Sequence, residues 1–256
     1  MQTLVIDTSY GSTVGVVGHE PIVETDSRTH VEKLQVNIAQ AVEQAGLQAS
    51  DITRIVVGVG PAPFTGLRAG IVAAKALAFA TGAQLVGQDV LAPQCLAHTQ
   101  ATDDRRHLTL AVNDARRRQL YFALYDGNAV ADDGRQSPAT LIDMDIDYPD
   151  SIATRVNNVL AKLADEDTPY VVDVIGHGAT KYARSWNAIV SLGDVDDHAL
   201  LDEGAEGLAR FAAFTTSEQA LAEPTPVEPL YLRRPDVSVP NPLKHVLNHA
   251  GAERTE

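Results

Sequence analysis

Residues 58–82, GVGPAPFTGLRAGIVAAKALAFATG, constrain this chain more than any other stretch. The β-branched run Ile55-Val56-Val57 just before it predicts a buried strand. Gly58, Gly60, Pro61 and Pro63 break regular structure and predict a tight loop. Thr65 is placed to cap the helix that follows, its hydroxyl accepting a backbone N–H of the first turn. Gly82 is placed to end that helix in the left-handed conformation. At about 100° per residue, Leu67, Ile71, Ala74 and Ala78 line one side, and Ala69, Ala73, Ala76 and Ala80 line the opposite side. Only Arg68 and Lys75 interrupt the apolar surface. A helix so apolar is expected to be covered on two faces. The chain's own sheet can cover one, and the small alanines let a second helix backbone approach the other. A central core helix and a partner-binding helix both satisfy the pattern.

The rest of the chain alternates strands and helices. Thr3 to Ile6, Ser12 to Val17 and Ile22 to Asp26 predict three strands. Val31, Leu34, Ile38, Ala41, Val42 and Ala45 then recur at helical spacing before Gly46. A strand at 55–59, the helix above, a short strand at Leu85-Val86 and a helix from Gln94 to Gln100 complete the first half. This is a layered α/β pattern. The polar run Thr102 to Arg106 predicts a boundary, with a first lobe over 1–103 and a second over 104–234. In the second lobe Leu108 to Val112 and Gln119 to Tyr125 predict strands flanking a turn. Residues 126–150 read as loop and 151–164 as helix. Tyr170 to Ile175 reads as a strand running into Gly176-His177-Gly178-Ala179, where His177 reads as a turn residue. Residues 204–222 read as the last helix of the second lobe, and 235–256 as a tail. No internal repeat of solenoid length is visible.

The chain has 256 residues, a formal net charge of −14 and one cysteine. A disulfide framework is excluded, and a reducing compartment, the cytoplasm, is expected. Cys95 itself reads as a small buried residue. Met1-Gln2 leads straight into an apolar strand with no basic leader. Arg68 and Lys75 argue against a membrane span in the most apolar stretch. So acidic a chain is a poor stand-alone binder of nucleic acid. Arg116, Arg117 and Arg118 form its sharpest basic spot. They suit a solvated turn, or a contact with phosphate or an acidic partner. There is no G-x-S-x-G, no P-loop and no H-E-x-x-H, and the eight histidines are scattered without a chelating pair on one helix. His30 reads as a surface or capping group at the start of the first helix. Asp7-Thr8-Ser9, taken alone, is an ordinary turn former.

Four blocks in order carry a family resemblance. GPAPFTGLRAGI resembles the G-P-G-S/P-F-T-G-L/V-R-x-G motif of the bacterial TsaB (YeaZ) proteins, with Ala62 where the family usually has glycine. That exchange is costly if the backbone there needs a positive φ. Ser27 to Leu34 matches S-R-x-H-x-E-x-L. Asp114, Ala115, Arg116 and Tyr121 match A-x-x-D-A-R-x-x-E-V-Y. Val227 to Arg234 matches the closing P-x-Y-L-R. The resemblance implies a two-lobed fold of the actin-like ATPase and hexokinase (ASKHA) superfamily. It implies a non-catalytic subunit of the machinery that makes threonylcarbamoyladenosine (t6A) in tRNA. Such a subunit binds and activates the transferase TsaD and helps recruit the ATPase TsaE. It meets tRNA only within that complex, and is a homodimer when alone.

By the same resemblance the partner face comprises His30, Leu34, Ile38 and Ala41 on the first long helix, and Thr65, Arg68, Ala69, Ala73, Ala76 and Ala80 on the second. A weak ATP or ADP site would lie at Asp7, Thr8, Gly176 and Gly178. No catalytic residue and no cofactor are assigned. TsaD carries a metal-binding H-x-x-x-H, and Val90 and Gln94 stand in the corresponding places here. Neither is a good transition-metal ligand. The alternative class is a self-sufficient enzyme, either a metal-independent ATPase or a glycoprotease-like protein.

Overall fold

The computed structural model describes residues 1–26, 29–96, 105–127, 138–163, 169–214 and 227–232. The first half builds β1 (Thr3–Asp7), β2 (Ser12–Val16), β3 (Ile22–Glu24), α1 (His30–Gln44), β4 (Arg54–Gly60), α2 (Phe64–Thr81) and β5 (Gln84–Asp89). Its sheet runs β3-β2-β1-β4-β5. The two hairpin pairings are antiparallel, and β1 pairs with β4 and β4 with β5 in parallel. Side chains alternate across the sheet as the period of two requires. Leu4, Ile6, Ile55 and Val57 face α1 and α2, packing on Leu34, Ile38, Leu67 and Ile71. Val5 and Val56 face the other way. With both faces covered, β1 and β4 carry unbroken apolar runs at their centres, Leu4-Val5-Ile6 and Ile55-Val56-Val57, as parallel strands buried on two sides do.

The second half repeats the plan. It builds β6 (Arg106–Asp114), β7 (Leu120–Asp126), β8 (Ala139–Asp147), α3 (Pro149–Leu163), β9 (Tyr170–Ile175), the short α4 (Ala183–Trp186) and β10 (Leu192–Asp196). The sheet order β10-β9-β6-β7-β8, read from β8, matches the first sheet strand for strand. Leu108, Leu110, Phe122 and Val172 pack on Ile152 and Val156 of α3 and on the fully buried Trp186. This duplicated, mixed five-stranded plan is the two-lobed ASKHA architecture. β8 and β10 lie where a loop and no element were expected. They are the edge strands of the second sheet.

After β10 the chain returns to the first lobe. α5 (Gly204–Phe214) lays Leu208, Phe211 and Ala212 on Val5, Val56 and Val90. The expected last helix of the second lobe therefore covers the outer face of the first sheet. Residues 215–222 of that expected helix lie outside the described residues, as does 97–100 of the expected helix after β5. There the chain makes a 3-10 turn, Ala92–Leu96. The segment 227–232 also returns to the first lobe: Leu230 N–H donates to the Val59 carbonyl at 2.8 Å, and Val227 joins the first core. The tail at 235–256 lies outside the described residues.

α2 corrects three expectations. Its N-cap is Pro63 with no side-chain cap, and Thr65 sits inside the first turn. By length and composition it could cross a membrane, with a mean hydropathy of 1.2. Its Leu67, Ile71, Ala73 and Ala74 nonetheless pack into the core against the first sheet, which makes it a core helix. Ala73 is 5% exposed, so it is not on the outer face. Leu34, Ile38 and Ala41 of α1 are buried in the same cluster. These four side chains, expected at a partner, are turned inward because they supply the apolar layer over β1, β2 and β4. Ala73→Arg therefore forces a charge into the chain's own core. We expect the isolated variant to lose at least about 3 kcal/mol, read by thermal or urea denaturation. An unchanged transition would place Ala73 outside the core.

Candidate functional site

The interlobe cleft is built on the loop after β1. Asp7 ends that strand buried, on the cleft wall. Ser9 donates to it twice, from the hydroxyl to Oδ1 at 2.7 Å and from the backbone N–H to Oδ2 at 3.2 Å. Burial raises the Asp7 carboxyl above its ordinary 3.8; the Ser9 bonds and the nearby His177 charge oppose that without reversing it. Thr8 is 2% exposed, and its hydroxyl donates to the Gly66 carbonyl of α2 at 2.9 Å. Two glycines of the key stretch make this possible. A Cβ on Gly58 would lie 2.0 Å from Asp7 Oδ1, and one on Gly70 would lie 2.3 Å from Thr8 Oγ1. The hairpin therefore seats its polar groups in α2 and β4 rather than presenting them to solvent. Ala62 has no positive φ, so its exchange for glycine strains nothing.

Across the cleft stands the loop after β9. Gly176 and Gly178 adopt φ of 113° and 102°. A Cβ on Gly176 would lie 2.3 Å from the Val112 carbonyl oxygen. Trp186 Nε1 donates to the Ala179 carbonyl at 2.8 Å and fixes the end of the loop. Between these glycines, the His177 ring stacks on Tyr10 with centroids 3.9 Å apart and planes 11° from parallel. His177 Nε2 lies 2.9 Å from Asp202 Oδ2. Burial opposes ionisation of Asp202, but the hydrogen bond and charge of His177 more than offset it, and the carboxyl is held below its ordinary value. The cavity left among Asp7, Tyr10, Gln94, His177 and Asp202 is about 30 Å³, room for a water or two. His177 is thus a cleft residue and not merely a turn residue. Tyr10 and Asp202 were not singled out in the sequence, because no spacing links residues brought together from three distant segments.

Val90 and Gln94 are both buried. Gln94 Nε2 donates to the Val90 carbonyl at 2.9 Å, and its Oε1 accepts the Leu200 N–H at 2.8 Å. The Val90 side chain has no ligating atom, and the Gln94 amide joins the segment that follows β5 to the turn before α5. This pair does not fit a transition metal. Nearby Cys95 is buried, and burial pushes its thiol up to about 12, so it is a packing residue.

The remaining expected site residues fall elsewhere. Arg116, Arg117 and Arg118 are exposed at the tip of the β6–β7 hairpin, with φ of 63°, 52° and 63°. His30 opens α1. On α2, Thr65, Arg68, Ala76 and Ala80 are exposed and Ala69 is half-buried. With them are two residues the sequence reading passed over, Val72 at 64% and Phe79 at 93% exposure. Residues 65, 68, 72, 76 and 79 share one helical face. At its N-terminal end Tyr231 stacks on Phe64 at 5.0 Å, and the Arg68 guanidinium lies 4.5 Å from the Phe64 ring centre.

A two-lobed ASKHA chain with a narrow cleft and an apolar ridge on α2 is the class the geometry defines. Residues 18–206 match the model of the TsaD family, tRNA N6-adenosine threonylcarbamoyltransferase, and the chain belongs to that family. An uncharacterized protein of Mycobacterium tuberculosis is 30% identical over 244 residues, 91% of this chain and 92% of that protein. The tRNA N6-adenosine threonylcarbamoyltransferase of Paracoccus denitrificans is 41% identical over 75 residues, 29% of this chain and 21% of that enzyme. The solved YeaZ from Pseudomonas aeruginosa has the same fold, with a TM-score of 0.59 at 21% identity over 90% of this chain and 99% of that one. A second Pseudomonas aeruginosa structure, described as similar to peptidase YEAZ, gives 0.63 at 22% over 91% and 99%.

The raised Asp7 carboxyl has a pH signature. Above 3.8 the folded chain keeps a proton that the unfolded chain has lost, so stability falls as pH rises through that window. Asp7→Asn removes this dependence. Thermal scans should show the variant gaining on the parent as pH rises from 3.8; a constant gap at all pH values would contradict the burial argument.

Proposed function

We propose that this chain is the TsaB-type accessory subunit of t6A synthesis: it binds TsaD through the exposed face of α2, holds it in an active arrangement and helps recruit TsaE. The observation that carries the reading is the ridge of Val72, Ala76, Phe79 and Ala80. A phenylalanine with 93% of its surface in water forgoes about 1.5–3 kcal/mol that burial would supply. An exposed apolar ridge of this kind marks an interaction surface. TsaD is the occupant because the transferase shares this chain's family. It can therefore present a matching pair of helices. The same face would close a homodimer when TsaD is absent.

The chain performs no transfer itself in this reading. The carboxylate and hydroxyl of the first hairpin are hydrogen-bonded within the chain, the Tyr10–His177 pair narrows the cleft, and the Val90–Gln94 pair does not suit a metal. It needs no cofactor of its own. With a net charge of −14 it meets tRNA only alongside its partners, and it works in the cytoplasm.

The test is Val72→Arg combined with Phe79→Arg. Both side chains face water in the single chain, so the variant should stay folded, with the parent's far-UV circular dichroism, even where a homodimer through this face is lost. Affinity for TsaD, measured by calorimetry or sedimentation, should fall at least about 100-fold, the loss of roughly 3 kcal/mol of apolar burial. Undiminished binding would remove this face from the interface.

A further inference from the structure

Asp114 ends β6 as Asp7 ends β1, so the β6–β7 hairpin is the second lobe's counterpart of the buried β1–β2 hairpin. It has the opposite fate. β6 and β7 pair in continuous register from Leu108 opposite Asp126 to Asp114 opposite Leu120. The five residues between those last two must reverse the chain. Ala115 N–H donates to the Gln119 carbonyl, and Gln119 N–H to the Arg116 carbonyl, both at 3.0 Å. Asp114 Oδ1 accepts the Arg116 N–H at 2.8 Å, while Oδ2 accepts Lys181 Nζ at 2.8 Å. The turn so fixed puts three successive residues in the left-handed region, and all three are arginines.

That choice runs against the backbone. Glycine and asparagine occupy positive φ readily, whereas a long side chain there is strained. Three arginines in a row where glycine or asparagine would be comfortable point to retention of the guanidinium groups themselves. All three are exposed, in a chain with 34 acidic and 20 basic residues. Asp114, at the base of the turn, is paired with Lys181, so its negative charge is already offset. Guanidinium forks suit phosphate oxygens.

We infer that the Arg116–Arg118 turn is this chain's contact with the phosphate backbone of tRNA within the assembly. The inference rests on the proposed t6A role. RNA is favoured over an acidic protein because the family acts on tRNA, and a phosphate backbone offers charges in series to successive arginines.

The test replaces all three with asparagine, which tolerates the left-handed region and removes the charge, and separately with lysine, which keeps the charge. tRNA binding is measured for the assembly of this chain with TsaD over a range of salt. The asparagine variant should bind more weakly, with a log–log salt slope shallower by about 2 to 3 if each arginine meets one phosphate. Its isolated melting temperature should hold or rise, since strain is relieved. The lysine variant should keep most of the slope. An unchanged affinity and slope in the asparagine variant would overturn the inference alone. Loss of TsaD binding without RNA present would make the turn a protein contact and also overturn it. If the unmodified assembly fails to bind tRNA at all, the functional reading fails with it.

Discussion

The notch that receives Thr8 governs the rest of the molecule. Gly70 leaves out the one atom that would collide with the Thr8 hydroxyl, and Gly58 does the same for Asp7. With the first hairpin seated there, the start of α2 is fixed against β1 and β4. Other segments then fasten onto the same loop. Asn113 Nδ2 of the second lobe donates to the Pro61 carbonyl at 3.3 Å. Leu230 pairs with Val59, and Tyr231 stacks on Phe64. The glycine- and proline-rich loop thus joins both lobes and the returning chain, and it sets the direction in which α2 turns its exposed ridge. A helix packed along one face on its own sheet suits a docking element, because little ordering is left to be done on association.

The two halves share a strand plan and have diverged in their hairpins. The first turns its hydroxyls and carboxylate inward; the second turns arginines outward. Between them the Tyr10–His177 stack and the His177–Asp202 pair hold the cleft together from three separate segments. The buried Asp7 carboxyl tolerates this position because Ser9 meets both its oxygens and its proton affinity is raised. Gln94 is a structural bridge between the segment that follows β5 and the turn before α5. Asp7, His177 and Gln94 each bond within the chain, whereas the buried Asn113 Oδ1, on the cavity wall, has no partner among the described residues.

Much of the fold was legible in the sequence because β1, β4, β6 and β9 are rich in apolar and β-branched residues, and α1 and α2 have clear helical spacing and glycine stops. β8 was not, although Ile142, Met144 and Ile146 alternate with Asp143, Asp145 and Asp147. Its acidic positions read as loop, yet they suit the exposed edge of a sheet. β10, with Gly193 and two aspartates, is an edge strand of the same kind. The site was legible only in part. Motif spacing singled out α2, with a core helix and a partner helix both open. The helical wheel misassigned its faces, since a small Ala73 packs inside as readily as outside. The expectation that large apolar residues are buried concealed Val72 and Phe79. The cleft contacts of Tyr10, His177 and Asp202 depend on how the lobes close, which no local pattern encodes.

The central claim is that this chain serves a transferase without being one. It is tested most directly by reconstituting t6A formation from threonylcarbamoyl-AMP and unmodified tRNA with TsaD alone, with this chain alone, and with both. The account predicts efficient transfer only when both proteins are present, and none from this chain by itself. Transfer by this chain alone, or equal transfer by TsaD without it, would contradict the account.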